Sequence, residues 1–214
     1  MYWVAGLIIL LFILLIIFLF INLNHEVYPE QNQSEMKSLL MKGTDKNTVH
    51  SYIDVYEELF SPIKNQVKNV LEIGVKGGQS ILLWKYYFKN SNVYGMDISP
   101  KPKILEEVEG VHFIHGNAYS EKMMDRVKNI KFDIMIDDGP HTLESMKYFV
   151  TNYSNFLADG GILVVEDLAD IKWVDQLKNL LPENLKKYAY HRDLRKNKNR
   201  FDDIMFIVDT RKKD

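Results

Sequence analysis

The chain has 214 residues, a formal charge of −2 and no cysteine. The near-neutral balance does not imply a general nucleic-acid-binding surface, and the missing cysteine excludes disulfides, thiolate metal sites and a cysteine nucleophile. Beyond the first 24 residues about 190 remain, enough for one α/β domain with a full core.

Met1 to Asn24 carries no charged side chain, and Trp3 to Ile21 is an unbroken run of 19 apolar or small residues. As a helix that run spans roughly 29 Å at about 1.5 Å per residue, close to the ~30 Å hydrocarbon core of a bilayer. No basic segment precedes it and no small-x-small cleavage site follows. A permanent transmembrane anchor over 1–24 is therefore expected rather than a cleaved signal peptide. Lys37, Lys42 and Lys46 lie on its carboxyl side, which places the body on the cytoplasmic face by the positive-inside rule.

Residues 25–66 read as a linker and N-terminal helices. Ser34 is placed to cap a helix reaching about Met41, and Gly43-Thr44-Asp45-Lys46 breaks it. Tyr52, Val55, Tyr56 and Leu59 stand at helical spacing within 48–60, and Ser61-Pro62 ends that helix. From 67 to 214 strands and helices alternate. Strands are predicted at 69–73, 92–97, 111–115, 132–137 and 160–166, and helices at 79–88, 102–108, 120–129, 142–157 and 171–181. Leu143, Met146, Phe149, Val150, Tyr153, Phe156 and Leu157 form one apolar stripe and read as core. Two late strands, about 185–191 and 203–209, flank a basic loop and suit an antiparallel hairpin. The pattern predicts a doubly wound, mostly parallel, seven-stranded Rossmann-like sheet with a C-terminal antiparallel hairpin.

In such a sheet ligands meet the carboxyl ends of the strands. The first strand ends in Glu72-Ile73-Gly74-Val75-Lys76-Gly77-Gly78-Gln79-Ser80. Lys76 stands where a dinucleotide fingerprint needs its second glycine, so the turn suits a cofactor without a pyrophosphate. Glu72, Gly74, Gly78 and Ser80 are its candidate contacts. Asp97 closes the second strand, where a carboxylate can accept from ribose hydroxyls. Gly116-Asn117-Ala118 follows the third strand, where a side-chain amide is placed to read an adenine edge. Glu72 has a second reading, a buried carboxylate bonding the turn amides.

Asp137-Asp138-Gly139-Pro140-His141 and Glu166-Asp167 close the next two strands. Asp138, Glu166 and Asp167 offer oxygen ligands of the kind a hard divalent cation takes. A hydroxyl beside such a cation is more acidic, and His141 is suited to accept its proton. Helix capping is the other reading, with Asp138 before the helix at 142 and Asp167 before that at 171. His112 and His115, three apart on a strand, face opposite sides and cannot pair on a metal. His191-Arg192-Asp193 mimics part of an iron facial triad that no later histidine completes.

With these motifs the chain resembles the class I S-adenosylmethionine-dependent methyltransferases. More narrowly it is similar to metal-dependent sugar O-methyltransferases of the macrocin and mycinamicin type and to the cephalosporin hydroxylase-like group. The likeness spans about 43–209. It includes Gly43-Thr44-Asp45-Lys46, His50-Ser51-Tyr52 and Tyr56-Glu57 as well as the strand-end motifs. It implies S-adenosyl-L-methionine and Mg²⁺ as cofactors, Asp138, Glu166 and Asp167 as metal ligands, Asp138 also near the cofactor, and His141 as general base. Pro140 stands where serine is common in the family, and Asn117 where aspartate is. The expected activity is methyl transfer to a sugar hydroxyl of a glycan or glycoconjugate, at a membrane. The acceptor is a small molecule or glycan with a free hydroxyl, no nucleic acid is involved, and a homo-oligomer is compatible with the pattern. The rival readings are a non-catalytic cofactor-binding member and an iron-dependent hydroxylase.

Overall fold

The computed structural model describes residues 34–39 and 44–211. The anchor expected over 1–24 lies outside them; among the described residues no helix is long and apolar enough to cross a membrane. Seven strands form one sheet: β1 (Asn69–Ile73), β2 (Asn92–Asp97), β3 (Val111–His115), β4 (Phe132–Asp137), β5 (Leu157–Val165), β6 (Ala189–Asp193) and β7 (Ile204–Asp209). Their order is β3-β2-β1-β4-β5-β7-β6. The first five run parallel to one another, and β7 is antiparallel to both β5 and β6. Helices α1 (Glu35–Ser38), α2 (Asp45–Thr48) and α3 (Ile53–Phe60) precede β1, and α4 (Gln79–Tyr87) follows it. The short α5 (Glu121–Met124) precedes β4, α6 (Leu143–Asn152) and α7 (Trp173–Leu180) flank β5, and α8 (Glu183–Lys186) and α9 (Arg195–Lys198) flank β6.

The strands read as continuous apolar runs because both sheet faces are covered. Side chains alternate between the faces. Val70, Ile134, Ile136, Ile162, Val164 and Ile207 pack with α3 and α4. Leu71, Met135, Leu163, Val165, Phe206 and Val208 pack with α6 and α7. Tyr56 and Phe60 of α3 stack at 5.1 Å, and Tyr56 meets Trp84 of α4 edge-on at 5.1 Å. This aromatic contact fixes α3, and the segment leading into it, over the carboxyl ends of the strands.

The expected five strands and terminal hairpin are present, the first four strands with the expected ends and β5, β6 and β7 with shifted ones. The helix expected over 48–60 begins only at Ile53, with Tyr52 as its N-cap, and a separate α2 at Asp45–Thr48 stands where a break was expected. The helix expected at 102–108 is one 3₁₀ turn, Lys103–Leu105, which Glu107 terminates at φ +60. The helix expected at 120–129 keeps only α5. The helix expected at 142–157 ends at Asn152, and a 3₁₀ turn, Tyr153–Phe156, carries its apolar stripe into β5 three residues early. Pro182 opens α8 and delays β6 to residue 189.

The chain reverses direction across the sheet between β1 and β4, the switch point at which an open α/β sheet opens a crevice. Gly74, at φ +88, passes so close to β4 that a Cβ there would stand 1.8 Å from the Asp138 carbonyl oxygen. Only a bare backbone fits this approach.

Candidate active site

At the switch point lies a cavity of about 540 Å³, whose walls include Gly74, Lys76, Ser80, Asp97, Asn117, Ala118, Asp138, His141 and Asp167. That volume is in the range of small-molecule sites. Of the expected cofactor contacts, Glu72 and Gly78 are absent from the wall. Gly78 abuts Leu105 and Ile104 instead.

Glu72 and Asp97 divide the work differently from the expectation. Glu72 is fully buried; its Oε2 accepts from Ser80 Oγ at 2.8 Å, and its Oε1 lies 3.5 Å from Lys46 Nζ. Burial pushes its pKa up to about 7, against the pull of Lys46. The buried-carboxylate reading thus holds for Glu72, with Ser80 rather than the turn amides as partner. The turn amides belong to Asp97: its Oδ2 accepts from Val75 N at 2.7 Å and Lys76 N at 2.8 Å, and its Oδ1 from Ser99 N at 2.7 Å. Burial pulls the Asp97 carboxyl up, but these N–H groups hold it below its ordinary value. Asn117 uses Oδ1 to accept from Tyr119 N at 3.0 Å, which fixes the turn after β3.

At the other end of the cavity Asp138, His141 and Asp167 each offer one ligand atom, all within 4.8 Å of one another. His141 Nε2 stands 3.8 Å from Asp138 Oδ1 and 3.5 Å from Asp167 Oδ2. His141 and Asp167 both adopt positive φ, +54 and +57, a backbone strain of the kind found at functional sites. Neither acid motif caps a helix. Thr142 caps α6 through a capping box with Ser145, and Lys172 occupies the N-cap of α7. The capping reading therefore fails at both positions.

Glu166 departs from its expected place among the converging ligands. It is buried, both carboxylate oxygens accept from Lys46 Nζ at 2.8 Å, and Oε1 also accepts from Tyr56. Lys46 donates in addition to Asp138 Oδ2 at 2.7 Å. Burial opposes the lysine's charge, but Asp138, Glu166 and Glu72 together hold its pKa well above the ordinary value.

Lys46, His50, Tyr52 and Tyr56, part of the family likeness, also meet the site's acids, a task the sequence pattern does not assign them. Tyr52 donates to Asp167 Oδ1. His50 Nδ1 lies 2.6 Å from the buried Asp203 Oδ1 and 3.1 Å from Asp167 Oδ1. One signal was available: five carboxylates at strand ends (Glu72, Asp137, Asp138, Glu166 and Asp167) cannot all be buried without a cation among them. The basic loop is largely paired off rather than open to anions. Arg192 meets Glu58, Arg195 meets Asp193, Arg200 meets Asp202, and Lys198 donates to the His50 carbonyl at 2.6 Å.

A seven-stranded sheet of this order, with a bare glycine turn and an acid at the next strand end, is the arrangement expected of a class I methyltransferase domain. Residues 71–168 match the family described as a methyltransferase domain. It is similar to the 8-demethyl-8-alpha-L-rhamnosyl tetracenomycin-C 2'-O-methyltransferase of Streptomyces olivaceus, at 36% identity over 63% of this chain and 37% of that one. It is also similar to the mycinamicin VI 2''-O-methyltransferase of Micromonospora griseorubida, at 31% identity over 58% of this chain and 33% of that one. The chain thus spans little more than a third of the length of these curated relatives. Among solved structures, the methyltransferase MycE of mycinamycin biosynthesis, in complex with Mg, SAH and mycinamycin VI, superposes with a TM-score of 0.64. The match is 24% identical and covers 82% of this chain and 54% of that one.

Proposed function

We propose that the chain is an S-adenosylmethionine-dependent O-methyltransferase that acts, with Mg²⁺, on a sugar hydroxyl of a glycosylated small molecule or glycoconjugate. The observation that carries this reading is one cavity that has the glycine turn and Asp97 at one end and Asp138, His141 and Asp167 at the other. The residues fit both groups. Gly74 and Asp97 both line the cavity at the glycine turn, and two of the three convergent donors are hard carboxylate oxygens, beside the His141 imidazole, with no thiolate among them. The named activities of the similar sugar O-methyltransferases, and the Mg and SAH in the MycE complex, support the choice of cofactors and acceptor class.

When bound, S-adenosylmethionine supplies an electrophilic methyl group and Mg²⁺ supplies Lewis acidity at the acceptor oxygen. Asp97 orders the turn through Val75 and Lys76, and its remaining acceptor capacity faces the cavity. Asp138 and Asp167 hold the cation side, and Tyr52 orients Asp167. His141 takes the proton of the acceptor hydroxyl as the methyl is transferred, and the chain's largest contribution is to hold the two reactants in line. Residues 1–24 are proposed to anchor this domain at a membrane with its body on the cytoplasmic face, on the strength of the uncharged 19-residue run and the lysines that follow it.

The test is methyl transfer from S-adenosylmethionine to a panel of sugar acceptors, with and without chelator, beside calorimetry with S-adenosylhomocysteine. Turnover that chelator abolishes, and binding that Asp97→Ala weakens, are expected. Turnover that persists in chelator would end the metal part of the proposal, and absence of S-adenosylhomocysteine binding would end the whole.

A further inference from the structure

We infer that Phe201, with Val49 beside the same stretch of cavity wall, is a specificity-determining residue that takes up a flat, uncharged apolar ring carrying the acceptor sugar. The inference rests on the sugar-methyltransferase reading above and adds the chemistry of the group to which the sugar is attached.

Space comes first. A cavity of about 540 Å³ is of the size that encloses a drug-sized ligand. That is room for the cofactor and the reacting sugar ring, and the group that bears the sugar lies outside the wall. At the end where Asp167 and His141 stand, His50, Arg200 and Asp202 complete the wall. His50 Nδ1 is 3.1 Å from Asp167 Oδ1, and the Tyr52 hydroxyl that donates to Asp167 is 3.4 Å from the Asp202 carbonyl oxygen. The segment leading into β7 is thus the part of the wall beside Asp167.

Two exposed apolar side chains stand at this place. Phe201 lies between the wall residues Arg200 and Asp202 and is 69% exposed, and Val49 precedes the wall residue His50 and is 41% exposed. Their segments are joined by Lys198, which donates to the Asn47 carbonyl and, at 2.6 Å, to the His50 carbonyl. The turn that carries Phe201 is tied down. Arg200 Nε and Nη2 donate to Asp202 Oδ1 and Oδ2 at 3.0 and 2.7 Å, which closes the turn with Phe201 at its apex, and Leu194 N donates to Asp203 O at 2.7 Å. A phenyl ring on a turn already fixed in this way loses little freedom when a ligand covers it.

Charge and shape select the occupant. Asp202 neutralises Arg200, and Lys198 is engaged by carbonyls, so neither is left to hold a phosphate or a carboxylate. A rigid ring gains stacking on Phe201 beyond the area that it buries. A flexible alkyl chain gives up conformational freedom for the same contact.

The experiment uses the full chain in detergent, saturated with S-adenosylhomocysteine and Mg²⁺. Dissociation constants of the phenyl, hexyl and methyl α-L-rhamnosides and β-D-glucosides are read by saturation-transfer NMR. Comparing parent and variant in the same detergent cancels partition of the probes into micelles. Thermal unfolding and S-adenosylhomocysteine calorimetry on the same samples report folding and cofactor binding. The parent is expected to bind a phenyl glycoside at least ~5-fold more tightly than the methyl glycoside of the same sugar. Phe201→Ala should bring that ratio to within about 2-fold of unity, with the melting temperature and the S-adenosylhomocysteine affinity of the parent. Phe201→Trp should keep the ratio. Leu180→Ala, which trims an exposed apolar residue outside the cavity wall, should keep it too. A parent that binds glycosides without preferring phenyl, or a Phe201→Ala variant that keeps the preference, would overturn the inference and leave the methyltransferase reading standing. A preference for hexyl over phenyl would overturn the ring. A parent that binds S-adenosylhomocysteine but no glycoside would end the sugar-acceptor reading and this inference with it.

Discussion

His141 projects into the cavity between two carboxylates from a left-handed backbone position, a conformation that non-glycine residues adopt at a cost of about 1–3 kcal/mol. Replacement by alanine removes the proton acceptor and leaves Asp138 and Asp167 in place. Under the proposed function, His141→Ala should lose about 10²–10⁴-fold in turnover while its S-adenosylhomocysteine affinity, by calorimetry, stays near the parent's. A variant as active as the parent would remove His141 from the mechanism. Asp137, its neighbour in the motif, has a different task. It is buried, its Oδ1 accepts from Tyr119, and its Oδ2 has no hydrogen-bond partner. Burial pushes its pKa from about 3.8 up to about 7. Between those values the native chain keeps a proton that the unfolded chain has released. The stability from this group is therefore full at the acid end of the window and is lost as pH rises through about 7. Glu72, also raised to about 7, acts in the same direction. Asp137→Asn cannot titrate, so its melting temperature should fall less between pH 5 and pH 8 than the parent's, with the residual slope due to the other raised carboxyls, Glu72, Glu166 and Asp167. An unchanged slope would show that Asp137 is not the group concerned.

At the scale of elements, the site depends on how close two strand ends come. Ile73 O accepts from Asp138 N at 2.9 Å, and Gly74 N donates to Met96 O at 2.9 Å, so the turn after β1 is stitched between β4 and β2. Gly74→Ala would place its Cβ against the Asp138 backbone, which cannot rotate away, and would hold alanine at φ +88. We expect a stability loss of at least ~2 kcal/mol in denaturant unfolding and a loss of S-adenosylhomocysteine binding. Parent-like stability and binding would mean that the turn and β4 are free to separate. The same closeness accounts for what was legible here. Strands 69–73, 92–97, 111–115 and 132–137 were placed to the residue, because an apolar run bounded by a glycine or an acid is a local signal. The short α2 and the 3₁₀ turn at Lys103–Leu105 were not, because tertiary packing of Lys46 and Leu105, rather than periodicity, stabilises them.

At the scale of the whole molecule, Ser34 to Asp209 contribute to one sheet-centred body, with Glu57 on α3 accepting from Ser34 and from Met36 N. The membrane attachment proposed above rests on residues 1–24 alone. A chain lacking those residues should remain in the supernatant after lysis and ultracentrifugation and still bind S-adenosylhomocysteine. Sedimentation with membranes would place an attachment site in the body. In the full chain expressed in a eukaryotic host, glycosylation at either N-x-S/T sequon, Asn32-Gln33-Ser34 or Asn152-Tyr153-Ser154, would contradict the cytoplasmic orientation.

The sequence by itself determined the parallel strands, the bare turn at Gly74, and the presence of Asp97, Asp138, Glu166 and Asp167 at strand ends, since alternation and chain direction fix both which face a residue takes and which rim it reaches. It did not determine which acid serves which partner. Glu72 is drawn out of the cavity wall and Asp97 takes the turn amides, because one lies under Lys46 and the other beside the Val75 and Lys76 amides. Lys46 and Glu166 are 120 residues apart, and His50 and Asp203 are 153 apart. Charge pairing depends on the distance between elements, and only the packing of α2 and α3 over the carboxyl rim of the sheet brings these groups within reach.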